Sequence, residues 1–339
     1  MSRLLLFLIL LSCAQVTSLN LQKHQFGRLP TKIVWIQAAG LTTEQIAMLK
    51  FSYPSRNELT AFENSLCIGN AWEYNLFEMR PSAYDSFLSQ VSGKKNIKNS
   101  CEDYAQKPIW KYIYSKGYKV GIFEGEADYK DSLIQSKSCN EQSNYLKETT
   151  YWTMNKSKKS NPELFHVSDN GQYKEDTVYF DKSCLSGDCF TTSSRNIEGT
   201  FSKFTKNSRN YLYIVRNFSL KKALKSRNVK VIREELDQLS STLKFFQDLA
   251  SKQQDMLVLL TTAEGIEVDL PESGLAWKKF DASKAKLSVK NSKLLSPVFA
   301  SGARAENFCG IYDQSQILSR IFSGAKQQGL EFSIINPFD

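Results

Sequence analysis

The feature that most constrains the fold is a strand–helix–strand unit between residues 211 and 260. Residues 211–215 and 256–260 are unbroken apolar runs, which is typical of strands that are buried on both faces of a parallel sheet. Between them, residues 229–250 place apolar side chains mostly three and four positions apart, a spacing that indicates a long amphipathic helix. The unit therefore predicts an α/β domain.

Other segments repeat this alternation of strand and helix. Residues 108–117 have a proline in the first turn and a glycine after the end, which indicates a helix. Ser82 and Asp85 have capping-box spacing before an apolar run, so we expect a helix to begin at Ser82. Further predicted elements are helices that begin at Thr42 and cover 56–66 and 314–323, and strands over 32–36, 118–123 and 296–300.

The N-terminus is predicted to be an export signal. Arg3 precedes eight apolar residues at 4–11, which are too few to span a bilayer, since a spanning helix needs about 20. Two processing routes remain open: a signal peptide over 1–18, or a lipoprotein signal over 1–12 with a lipid on Cys13. We therefore expect a secreted or periplasmic protein that meets the membrane only through a lipid at Cys13.

The mature chain is predicted to form one domain over residues 30–330. Residues 131–208 are rich in Ser, Asn, Lys and Asp and show little periodicity, so we expect an insertion that is pinned by disulfides or partly disordered. Six cysteines remain after Cys13, and an even number suggests disulfides in an exported protein. Cys184 and Cys189 would close a small loop; alternatively, only one or two pairs form.

The chain is basic, with a formal net charge of +9. A positive protein attracts acidic surfaces such as anionic lipid headgroups or wall polymers. Because the charge is spread along the chain, it serves general solubility equally well. We expect an anionic ligand or an envelope polymer as the partner and no nucleic acid; the sequence predicts no oligomeric state.

The stretch from Pro297 to Ile317 carries a family resemblance. An apolar strand ends there in a small-residue loop, and Ala305-Glu-Asn-Phe308 and a helix follow. This arrangement resembles the C-terminal signature of the alkaline phosphatases, and the likeness covers residues 32–323 except for 131–208. The resemblance implies a three-layer α/β/α sandwich with a mostly parallel central sheet. It also implies that phosphate monoesters are hydrolysed with the help of metal ions, which are bound by aspartates, a glutamate and several histidines.

The positions that match the family's metal ligands mostly lack ligand side chains. They are Ala38, Glu264, Gly265 and Asn291. Residues 216–228, where the family carries a glutamate, an aspartate and a histidine, contain none of these types. The only histidines of the chain are His24 and His166, and neither lies in a metal-ligand motif. We therefore expect no cofactor, and zinc or magnesium only if the chain is a hydrolase.

Ser82 matches the family's nucleophilic serine, with Pro81 in place of an aspartate. Serine attacks only when a base or a metal activates it, so the first hypothesis is an exported pseudoenzyme that acts as a non-catalytic binding or envelope protein. The alternative is a divergent hydrolase of phosphate or sulfate esters with Ser82 as nucleophile, most simply a phosphoric monoester hydrolase.

A second hypothesis concerns charge at the same place. Arg216 and a nearby lysine, of which Lys221 is the first candidate, would join the helix N-terminus at Ser82 in an anion site. The competing interpretation is that these basic residues begin a solvated helix.

Overall fold

The structure, a computed structural model, describes residues 29–322 apart from 53–58, 99, 129, 135–138, 140–143, 156–161, 188 and 283–286. The strands are β1 Lys32–Ala39, β2 Cys67–Trp72, β3 Lys119–Gly125, β4 Thr150–Thr153, β5 Glu163–Phe165, β6 Thr177–Asp181, β7 Tyr211–Asn217, β8 Met256–Ala263, β9 Ile266–Val268, β10 Val289–Ser292, β11 Leu295–Gly302 and β12 Gly310–Asp313. The helices are α1 Thr43–Ser52, α2 Ala83–Ser92, α3 Ile109–Ile113, α4 Ser193–Thr205, α5 Ser219–Ser226, α6 Val229–Ala250, α7 Gly274–Ala282 and α8 Ile317–Phe322.

One large sheet organises the domain. It has ten strands in the order β12-β2-β11-β8-β1-β7-β3-β4-β6-β5, while β9 and β10 form a separate pair. β1 pairs in parallel with both β7 and β8, and β11 is antiparallel to both of its neighbours. The predicted mostly parallel α/β fold is therefore confirmed.

Each face of the sheet is covered by its own apolar layer. Alternate residues of a strand point to opposite faces, so Leu260 packs in one layer with Phe246 of α6, and Leu259 packs in the other with Phe87 of α2. The central strand β8 is buried along its whole length, which explains why it has no polar alternation.

Several predicted elements form as expected. Helix α6 spans the predicted 229–250, and Gly117 ends the helical segment after Pro108 with a φ of 78°, a conformation that glycine adopts without strain. The predicted helix over 56–66 is different. Its residues 61–64 form a turn before β2, and its first residues lie outside the described chain.

Residues 131–208 contribute far more regular structure than their composition indicates. Strands β4, β5 and β6 form here and extend the main sheet, and α4 covers it. The buried Trp152 of β4 contacts Tyr179, Phe204 and Tyr213. These partners are distant in sequence, so the aromatic cluster that stabilises the region leaves no local periodicity.

Three disulfides are present. They join Cys67 to Cys309, Cys101 to Cys139 and Cys184 to Cys189. The small loop predicted between the last two cysteines is confirmed. Within the described part of the chain, no helix combines the length and the hydrophobicity that crossing a bilayer requires.

Candidate functional site

The candidate site lies where β1, β7 and β8 end and α2 begins. Parallel strands bring their carboxyl ends to one edge of a sheet, the usual place for a ligand site in this kind of fold. Ala38 stands at the end of β1, opposite Asn217 of β7 and Thr262 of β8. Glu264 follows β8, and Lys221 lies in the first turn of α5.

Lys221 is the centre of this site. Its Nζ atom lies 2.6 Å from Asp131 Oδ2 and 2.6 Å from Glu264 Oε2, and the residue is 3% exposed. Burial by itself lowers the pKa of Lys221, but the charges of Glu264 and Asp131 outweigh it and hold the pKa above the usual value. The ammonium therefore stays protonated and links two carboxylates from separate parts of the chain.

Glu264 occupies the N-terminus of α2. Its Oε2 atom accepts a hydrogen bond of 3.0 Å from the Ala83 backbone amide as well as the contact with Lys221. A helix N-terminus favours an anion, because its first amides lack partners and carry partial positive charge. Here the chain supplies that anion from its own sequence.

Ser82 caps the same helix, as predicted. Its Oγ atom donates to Asp85 Oδ2 at 2.7 Å and accepts from the Asp85 backbone amide at 3.2 Å. Among the described residues no imidazole reaches it, since His166 bonds instead to Ser168 and Thr191. His24 lies outside the described residues.

Arg216 is buried next to the site. Its side chain is 0% exposed and lies 2.5 Å from Glu124 Oε2, and it also donates to the Asp131 carbonyl at 2.9 Å. The guanidinium stacks over the Phe87 ring at 4.2 Å from the centroid. A buried charge needs compensation of this kind, so Arg216 connects β7 to β3 and to the segment that carries Asp131.

Gly265 and Glu73 complete the surroundings of Glu264. The Gly265 amide donates to Glu73 Oε2 at 3.0 Å, and a Cβ atom at position 265 would lie only 2.4 Å from Ser296 Oγ. A larger residue there would therefore require the Ser296 side chain to move. Burial raises the pKa of Glu73 to about 8, so this carboxyl group is mostly protonated at neutral pH.

The structure brings Ser82, Lys221 and Glu264 together, and Arg216 reaches them through Asp131. Asn291, by contrast, lies in β10, outside the ten-stranded sheet. Sequence reasoning missed Asp131, Glu124 and Glu73. Glu124 had a usable signal, because a carboxylate inside an apolar strand needs a buried cation as its partner.

Zinc and magnesium do not fit this arrangement of residues. In the described chain no group of three or more His, Cys, Asp or Glu side chains is placed to hold a metal ion. A divalent cation between Asp131 and Glu264 would meet the Lys221 ammonium, which already contacts both carboxylates. The described side chains at this site position charges and a capping serine.

Comparison of the sequence with family models and with curated proteins finds no match. The fold does match solved structures. The alkaline phosphatase of the Antarctic bacterium TAB5 is 14% identical with a TM-score of 0.65, covering 88% of this chain and 99% of that one.

Two further alkaline phosphatases agree. The cold-active enzyme of the psychrophile Shewanella sp. is 11% identical with a TM-score of 0.68, covering 86% of this chain and 99% of that one. The Thermus thermophilus enzyme is 9% identical with a TM-score of 0.70, covering 91% of this chain and 94% of that one. At these identities the likeness establishes architecture, and the chain accordingly has the fold of the alkaline phosphatases.

Proposed function

We propose that this chain is an exported, non-catalytic protein of the alkaline phosphatase fold that acts by binding. The observation that carries the proposal is the Lys221 ammonium, 2.6 Å from the carboxylates of both Asp131 and Glu264. A lysine supplies positive charge and hydrogen bonds. It has no empty orbital to accept a lone pair, so it cannot act as the Lewis acid that lowers the pKa of a bound oxygen.

The remaining groups also support a binding role. The N-terminus of α2, which would stabilise an incoming anion, is already engaged by Glu264. Arg216 is fully buried and paired with Glu124. An anionic partner of the kind that the net charge of +9 predicts would therefore bind to basic side chains on the surface, since Lys221 and Arg216 are neutralised within the protein.

One observation favours the alternative, a divergent ester hydrolase. The Ser82 hydroxyl donates to the Asp85 carboxylate at 2.7 Å, which is the distance between a nucleophile and its general base. The same two residues form an ordinary helix cap, however, because the Asp85 amide also donates to Ser82 Oγ. Capping accounts for the pair without catalysis.

The test combines metal analysis with turnover. We expect purified protein to contain zinc and magnesium far below one ion per chain by inductively coupled plasma mass spectrometry. We also expect equal background rates with p-nitrophenyl phosphate for the wild type and Ser82→Ala. Stoichiometric metal, together with turnover that disappears in Ser82→Ala, would overturn the proposal and establish the hydrolase.

Export is the other part of the proposal. It rests on the apolar N-terminal run and on the three disulfides, which persist mainly in oxidising compartments. Intact-mass analysis of protein from an exporting host tests it. A mature chain that begins after Ser18 indicates simple secretion, an acylated N-terminal Cys13 indicates a lipoprotein, and an unprocessed Met1 would contradict export.

A further inference from the structure

A polar pocket of about 400 Å³ lies beside the Lys221 site, at the carboxyl ends of β3 and β4. Helices α4, α5 and α6, together with Gly187 and Cys189 of the small disulfide loop, form its other walls. The side chains that matter for its chemistry are Glu126, Asn155, Ser219, Lys222, Glu235 and Gln238. Asp131, Glu264 and Ser82 do not line it, so the pocket is separate from the site described above.

A buried hydroxyl faces this pocket. Ser219 is 4% exposed, and its Oγ atom has no hydrogen-bond partner among the described residues. A buried polar group without a partner destabilises the fold, because it has lost its hydrogen bonds to water and gained none in return. Because Ser219 lines the pocket, a ligand with a hydroxyl or an amine can supply the missing hydrogen bond.

The charge of the pocket is acidic, although the protein as a whole is basic. Lys222 pairs with Glu126 at 3.1 Å, but its side chain is 68% exposed. Glu235 lies in no ion pair with a described residue, and its one hydrogen bond of this kind comes from the Gln238 amide at 3.4 Å. Three carboxylates therefore line the pocket. Asp128 is paired with Lys225, and among the described lining residues the solvated Lys222 ammonium alone offsets the other two, Glu126 and Glu235.

We propose that this pocket binds a small polyhydroxylated amine, with the ammonium held by Glu235 and Glu126 and a ligand hydroxyl bonded to Ser219 Oγ. The hydroxyl and amide groups of Ser219, Asn155 and Gln238 suit the polyol part of such a ligand. This binding function goes beyond the proposal for the Lys221 site, and it holds whether or not Ser82 takes part in catalysis.

Calorimetry with a matched pair of probes tests the inference on the full chain. The amine is 1-amino-1-deoxysorbitol, and its neutral counterpart is sorbitol, which carries a hydroxyl group at the same carbon. We expect the amine to bind and sorbitol to bind at least about tenfold more weakly, since a hydrogen bond to a charged group contributes about 1.5–3 kcal/mol. Equal binding of both probes, or binding of neither, would refute the proposal.

Variants locate the interaction. Glu235→Gln removes the charge and keeps the shape of the side chain, and we expect it to weaken amine binding by about tenfold. Glu234→Gln is the matched control, because Glu234 is the adjacent residue of α6 and does not line the pocket. Ser219→Ala should weaken the binding of both probes by the same factor. An unchanged affinity in Glu235→Gln, or an equal loss in Glu234→Gln, contradicts the assignment.

The affinity should also depend on pH in a definite direction. Burial raises the pKa of Glu235 to about 7, and the negative charges of Glu126 and Glu234 add to the rise, while the positive charge of Lys222 opposes it. Asp128 also faces the pocket, but it is paired with Lys225. Glu235 is thus neutral at low pH and ionised at high pH. Between about pH 6 and pH 8.5 the aliphatic amine stays protonated, as lysine does, so binding should strengthen as pH rises. A flat profile contradicts the proposed contact.

Discussion

The substitution Lys221→Met is the sharpest test of how the site is held together. Methionine keeps the length of the side chain and removes the charge, so the carboxylates of Asp131 and Glu264 lose the ammonium that lies 2.6 Å from each. Removing one partner of a buried ion pair costs about 3–5 kcal/mol. The Asp131 side chain is 1% exposed and cannot reach water, whereas the Glu264 side chain is 24% exposed and can relax.

The partial exposure of Glu264 places the expected loss at the lower end, about 3 kcal/mol. In a large domain 1 kcal/mol lowers the melting temperature by about 2 °C, so we expect a fall of about 6 °C by differential scanning calorimetry. Lys222→Met is the matched control, because this neighbouring lysine is 68% exposed in its pair with Glu126. An exposed pair contributes less than about 1 kcal/mol.

The pH dependence of the difference follows from the raised pKa of Lys221. A lysine whose pKa is higher in the folded state stabilises the fold below its unfolded pKa of about 10.4, and this stability is lost as pH rises through the folded value. The gap between the wild type and Lys221→Met should therefore be constant from neutral pH to about pH 10 and shrink above it. If Lys221→Met melts no lower than Lys222→Met, Lys221 does not hold the site together.

Two further predictions concern other groups. Burial raises the pKa of Glu73 to about 8, so the folded state binds an extra proton between about pH 4.5 and pH 8, and stability falls with rising pH across this window. The free energy of unfolding of Glu73→Gln, measured with urea at several pH values, should therefore increase relative to that of the wild type as pH rises. An unchanged difference between pH 5 and pH 9 would show that Glu73 ionises normally. The stability lost on removing a disulfide should depend on the length of chain that the disulfide closes. From chain entropy, the Cys67–Cys309 pair, 242 residues apart, contributes about 5 kcal/mol, and the Cys184–Cys189 pair, 5 residues apart, contributes about 2 kcal/mol. The double serine variant of the first pair should therefore melt clearly lower than that of the second, and equal melting temperatures would contradict this account.

Much of the fold could be predicted because the relevant patterns are local. The apolar run 256–260, the three- and four-residue spacing over 229–250 and the capping pair Ser82 and Asp85 each determine their own element. The strands between residues 131 and 208 were not predictable in this way. Trp152 acquires its environment from Tyr213 and Phe204, and such distant partners leave no trace in neighbouring sequence.

The candidate site, like the fold, could be predicted only in part from the sequence. The sequence placed Ser82, Lys221 and Glu264 in one site only through the resemblance to the alkaline phosphatases, since each aligns at or near a position of that family's catalytic centre. It did not indicate that Lys221 and Glu264 contact each other, since that pair depends on how α5 and the end of β8 approach in space. Asp131 lies at the start of a stretch without periodicity, and Glu73 follows a short strand whose outer face is exposed. Neither position had a local signal.

The carboxylate of Glu264 at the N-terminus of α2 is in effect a ligand tethered to its own receptor. A tethered group acts at an effective concentration in the millimolar range or above, and it neither diffuses away nor needs to be supplied. Any phosphate or sulfate from solution must displace it while also leaving the Lys221 ammonium without one of its two partners. The protein therefore carries a built-in competitor for the anions that this helix end would otherwise bind, and Glu264→Gln is the change that would remove it.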